Sequence, residues 1–144
     1  AAIILAANFL KRCYHAMSTP NNAITVPSPA TYCAVFASES AYQHAVDNVI
    51  LQLEDQLERA FQLDAPFDYE SQSGILTIDC GAGGKIIINR QAPLQELWVA
   101  ARSGGFHFRK AEDGWRDTRS HELLEALLGR VLTEQSGVEL ALSL

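Results

Sequence analysis

The sequence predicts an α+β fold: one helix, about six antiparallel strands, then a second helix. Three observations carry this. A run from about Ser38 to Phe61 repeats its apolar residues at helical spacing. From Asp68 to Asp117 the apolar positions alternate with period two between Gly-, Ser- and Asp-rich turns. From Leu123 to Leu132 the helical period returns and stops at Gly137. A chain of 144 residues with 19% charged side chains is long enough for one domain with its own core.

Before the first helix, residues 1–37 read as an extension and leader. The apolar run in residues 1–10 is too short to span a bilayer, which takes about twenty residues. Lys11 and Arg12 follow that run, whereas a secretory signal places its basic residues in front. Residues 1–16 are therefore expected to be an upstream extension with Met17 as a start. Pro20, Pro27 and Pro29 mark a leader without regular structure. Cys13, Cys33 and Cys80 form no Cys-x-x-Cys pair, so reduced thiols in a cytosol-like compartment are expected.

In the first helix Tyr42, Ala45, Val46, Val49, Ile50, Leu53, Leu57, Ala60 and Phe61 form the stripe that should be buried. At about 100° per residue, Asp47, Glu54 and Glu58 lie on one side, with Asp55 beside them. The formal charge of −6 is concentrated here, because between Ser38 and Glu70 eight acids face Arg59 alone. Such a face repels nucleic acid and attracts cations or a basic protein surface. An acidic solvated face without function is the ordinary outcome for such a cluster. Carboxylates with no histidine or cysteine among them suit hard cations, held weakly and without selectivity.

Pro66 ends the helical region. Asp68-Tyr69-Glu70 reads as an edge strand, and Ser71 to Gly74 as a turn. Ile75 to Cys80 follows, with Leu76, Ile78 and Cys80 on one side and Cys80 expected as a core residue. Gly81-Ala82-Gly83-Gly84 lacks the Gly-Lys-Ser/Thr ending of a phosphate loop and leads into a strand, so it reads as a hairpin turn. In Lys85 to Gln91, Ile86 and Ile88 face one way, and Ile87, Asn89 and Gln91 the other. Leu97 and Val99 then oppose Trp98 and Ala100. Asn89, Gln91 and Trp98 thus share the open side of the sheet, either as a partner anchor or as ordinary surface cover.

Arg102 to Gly105 reads as a turn. Phe106 and Phe108 share a face of the next strand, and Asp113-Gly114 signals a hairpin into Trp115-Arg116-Asp117. Ser120 is placed as the N-cap of the last helix, with Glu122 in its first turn. Residues 138–144 are left as a C-terminal tail. No nucleophile–base pair, histidine ligand set or dinucleotide fingerprint is present in the sequence.

The run Gly83-Gly84-Lys85-Ile86-Ile87-Ile88-Asn89-Arg90-Gln91-Ala92-Pro93-Leu94-Gln95-Glu96-Leu97-Trp98-Val99-Ala100 resembles the signature of the frataxin family. Gly104 to Phe108, Trp115, Asp117, Arg119-Ser120, Glu125 and Leu127-Leu128 resemble its bacterial branch. The likeness covers about Ser38 to Gly137 and is looser in the first helix. It implies a two-layer sandwich with two helices on one face of a mostly antiparallel sheet. It also implies a bacterial cytoplasmic protein, monomeric without iron, that binds Fe²⁺ and Fe³⁺ weakly. Its partners in iron–sulfur cluster assembly would be the cysteine desulfurase and the scaffold protein, with the chain an iron adaptor or a regulator of the desulfurase.

By position, the resemblance assigns iron to Asp47, Glu54, Asp55 and Glu58, extended by Asp64, Asp68 and Glu70. It assigns partner contacts to Glu54, Asp55, Glu58, Asn89, Gln91 and Trp98. Arg59, Gln62, Ala65-Pro66 and Gly81 depart from the family's acidic pattern, which should weaken the attraction for cations. The enzymatic alternative is a ferroxidase, for which the sequence shows no Glu-x-x-His pairing of a di-iron bundle. A relative too depleted in acids to bind iron is the other alternative.

Overall fold

The computed structural model describes residues 36–144. The expectations for residues 1–35, including Lys11, Arg12, Cys13, Met17 and Cys33, lie outside the described residues. Helix α1 spans Glu39–Phe61. Ser38 caps it from extended backbone, its hydroxyl accepting the Ala41 N–H at 3.1 Å, which satisfies one of the donors every helix start leaves open. Six strands follow: β1 Asp68–Gln72, β2 Ile75–Asp79, β3 Lys85–Gln91, β4 Glu96–Ala101, β5 Gly104–Ala111 and β6 Gly114–Asp117. Helix α2, Leu124–Ser136, closes the order.

The strands form one antiparallel sheet in sequence order, β1-β2-β3-β4-β5-β6, each joined to the next by a tight connection. The alternation decides its faces. Leu76 and Ile78 of β2, Ile86 and Ile88 of β3, Leu97 and Val99 of β4, Phe108 of β5 and Trp115 of β6 are buried together. Against them pack Tyr42, Val46, Val49, Ile50, Leu53 and Leu57 from α1, and Leu124, Leu127, Leu128, Val131 and Leu132 from α2. Both helices thus cover one face, and the opposite face stays open. Cys80 is buried with the core as a free thiol; burial, then the Asp79 charge, pushes the thiol up from its ordinary range.

Four local expectations are corrected. β1 runs on through Ser71 and Gln72, because both pair with β2 before the chain reverses at Ser73-Gly74. Gly104 and Gly105 belong to β5, paired with Ala101 and Ala100, which leaves Arg102-Ser103 as the reversal. Phe61 is the last residue of α1 and, at about 100° per residue, falls at the margin of the buried stripe; it is 48% exposed. Ser120 does not cap α2 and Glu122 is not in its first turn, since the helix begins at Leu124 behind an extended Leu123. The Ser120 hydroxyl instead donates to Asp117 at 2.9 Å and accepts the Glu122 N–H. An isolated bridge between Arg116 and Leu123 keeps that stretch extended.

The tail after Gly137 lies along both helices. Leu140, Leu142 and Leu144 pack on the core. Gln56 of α1 holds Ser143 through both amide atoms, donating to its carbonyl at 2.8 Å and accepting its N–H at 3.0 Å.

Candidate functional site

The acidic residues of α1 are presented along one edge of the helix, next to strand β1. Glu58 has both oxygens occupied: Tyr69 donates its hydroxyl to Oε2 at 2.7 Å, and Gln62 donates to Oε1 at 3.0 Å. These two bonds, the tyrosine's first, hold the Glu58 carboxyl below its ordinary range. The same contact pushes the Tyr69 phenol up to about 12, with smaller contributions from burial and from the charges of Glu58, Glu54 and Asp68. Asp55 is paired with Arg59 one turn on. Glu54, one turn before Glu58, makes no ion pair or hydrogen bond with the described residues.

Asp47 stands two turns earlier and is turned to the sheet, where Arg90 of β3 meets it at 3.1 Å. Arg90 projects on the helix-covered side, as Ile86 and Ile88 do, so this pair ties α1 to the sheet. Asp64 is in the turn after the helix, in left-handed backbone with φ 60°.

Asp68 and Glu70 are separated from the ridge by the pleat of β1. Tyr69 faces α1, so its neighbours Asp68 and Glu70 face the open side. There they lie opposite Asp79 and Thr77 of β2, around a hollow of about 200 Å³ that Lys85 also lines. Lys85 meets Asp79 at 3.2 Å. The Gly81 N–H, then Lys85, hold the Asp79 carboxyl low. The seven residues assigned to iron therefore fall into a ridge of Glu54, Asp55 and Glu58, a sheet-edge pair of Asp68 and Glu70, and the outlying Asp47 and Asp64. Among the described residues no three His, Cys, Asp or Glu side chains converge on one point as a closed metal centre requires.

The residues assigned to partner contact on the sheet are brought together. Asn89 of β3 is directly opposite Trp98 of β4, and Gln91 is opposite Glu96. Trp98 is half-buried and stacked on His107 of β5, ring centroids 4.3 Å apart and planes 5° from parallel. Ile87, Asn89, Trp98, Ala100 and His107 border a shallow hollow of about 120 Å³. Sequence reasoning did not single out Glu96, which is buried on this open face beneath Trp98. Its position two residues before Trp98 was the available signal, but periodicity does not say that a glutamate will be covered.

A six-stranded antiparallel meander, backed on one face by two helices, bare on the other and edged by acidic residues, defines the class of open-faced two-layer α+β sandwiches. Within that class the chain belongs to the frataxin-like family, whose domain model matches residues 35–138. It is 44% identical over 108 residues to the iron-sulfur cluster assembly protein CyaY of Ralstonia pickettii, covering 74% of this chain and 95% of that one. Frataxin from Psychromonas ingrahamii superposes with a TM-score of 0.67 at 26% identity, over 74% of this chain and 99% of that chain. Trimeric frataxin from the yeast Saccharomyces cerevisiae, complexed with ferrous iron, superposes with a TM-score of 0.59 at 25% identity, over 74% and 93%.

Proposed function

We propose that the chain is a non-enzymatic protein of iron–sulfur cluster assembly in the bacterial cytoplasm. In this reading it carries Fe²⁺ or Fe³⁺ weakly as cargo and docks on the cysteine desulfurase and the scaffold protein, as an iron adaptor or as a regulator of the desulfurase. The observation that carries it is the ridge of Glu54, Asp55 and Glu58 standing out from α1 next to Tyr69, in a family whose relatives bear that assembly role in their names.

The chemistry follows from the ridge's own partners. Carboxylates are suitable ligands for a hard cation, but Asp55 already has Arg59, and Glu58 already has Tyr69 and Gln62. An iron ion must displace these donors, which favours weak holding and easy release. Asp68 and Glu70, on the open face, provide a second loose station. The same ridge docks electrostatically on a basic partner surface, and Asn89, Gln91 and Trp98 form a separate platform for a protein partner.

The double substitution Glu54→Lys with Glu58→Lys tests this reading. Iron titration should lose most of its signal, and pull-down of the desulfurase should fail, while circular dichroism stays that of the wild type. Iron binding and desulfurase binding that both survive the double substitution would overturn it.

A further inference from the structure

The open face of the sheet carries one carboxylate held out of water. Glu96 is on the same face as Trp98, because residues two apart on a strand share a side, yet its side chain is only 4% exposed. A charge so placed is tolerated only when paired and hydrogen-bonded. Glu96 has this: Oε1 accepts from Arg109 Nε at 2.7 Å and Oε2 from Trp98 Nε1 at 2.9 Å. His107 Nδ1 is 3.8 Å from the same Oε2. The register of β4 and β5 sets Trp98 opposite His107. Proximity alone does not make two rings parallel, and the bond from the indole N–H to a fixed carboxylate supplies the missing orientation.

We propose that Glu96 is the positioning residue of the partner platform: it fixes the Trp98 indole and so holds Trp98 and His107 as one stacked, preorganised unit. This rests on the reading of Trp98 as a partner anchor. A side chain fixed before docking loses less freedom on docking.

The test is NMR of the full chain at one fixed pH, following the Trp98 indole N–H and the contacts between the Trp98 and His107 rings. Glu96→Gln keeps an acceptor for the indole, so the indole signal and the ring contacts persist and binding of purified scaffold protein stays that of the wild type. Glu96→Ala releases the indole: its N–H signal shifts, the ring contacts are lost, and scaffold binding weakens about five- to tenfold. An indole signal and ring contacts unchanged in Glu96→Ala, or undiminished scaffold binding by that variant, overturn the proposal. Absence of scaffold binding by the wild type overturns the platform reading itself, whatever the NMR signals show about the ring pair.

Discussion

Single carboxylates in this protein differ chiefly in who donates to them. Glu58 is lowered by Tyr69 and Gln62. A depressed folded-state value means that the interaction is fully present above the ordinary carboxylate range and is lost as pH falls through the lowered value. Tyr69→Phe removes the larger contribution, so the Glu58 titration followed by carboxyl NMR should move to higher pH, while the absorbance step of a phenol ionising near 12 disappears. Asp117 is the structural counterpart. Burial pushes it up, but the Ser120 N–H and hydroxyl, the Arg119 N–H and the His107 N–H together outweigh burial and leave it lowered. Asp117→Ala should cost about 2–3 kcal/mol in urea unfolding at neutral pH, because several donors lose a charged acceptor at once. The gap to the wild type should narrow on acidification through the lowered value, following the same sign.

Among the elements, the turn before β3 shows how a sequence feature acquires its reason. Gly81 and Gly84 have positive φ, which a turn asks of glycine. Gly83 does not, and its constraint comes from elsewhere: a Cβ there would stand 1.7 Å from the carbonyl oxygen of Gln135, in the last turn of α2. Gln135 also reaches across to accept the Arg102 N–H at 2.9 Å, so one residue of α2 touches two turns of the sheet. Gly83→Ala should therefore destabilise by about 1–3 kcal/mol through overpacking, seen as a lower thermal midpoint with an unchanged circular dichroism spectrum at low temperature. Tyr42 shows a second link between elements. It is fully buried in α1 and donates its hydroxyl to the Glu96 carbonyl at 2.8 Å, joining the first helix to the first residue of β4.

Over the whole molecule, the acids assigned to iron stand apart from the platform. Glu54, Asp55 and Glu58 line the α1 edge, Asp68 and Glu70 the β1 end of the open face, and Trp98 and Asn89 occupy the middle of that face. Docking driven by the ridge should weaken steeply with salt, since exposed charges further apart than a Debye length of about 10 Å at 0.1 M are screened. Pull-down of the desulfurase at low and high ionic strength checks this. Contacts made through the stacked Trp98 should lose far less, so a scaffold-protein titration over the same salt range serves as the control.

Much of this was legible in the sequence because it follows from period. The 3.6 and 2.0 repeats place Leu53 and Leu57 inward on α1, and Ile86 and Ile88 inward on β3, whatever surrounds them. Gly137 stopping α2 and Ser38 starting α1 are local capping chemistry, and both stand where the sequence places them. Ser120 failed as a cap because Asp117, a buried acceptor three residues back, engages its hydroxyl and its N–H. The acidic ridge was legible as a set of charges, but not that Asp47 is drawn to Arg90, Glu58 to Tyr69, and Asp68 with Glu70 to the other side of the sheet. The sequence by itself determined the elements, their faces and the family, since each depends on neighbours within a few residues. Only the tertiary structure decided which carboxylates stand free, that Gly83 makes room for α2, and that Glu96 lies under Trp98, because those depend on residues that meet across the sheet and between the layers.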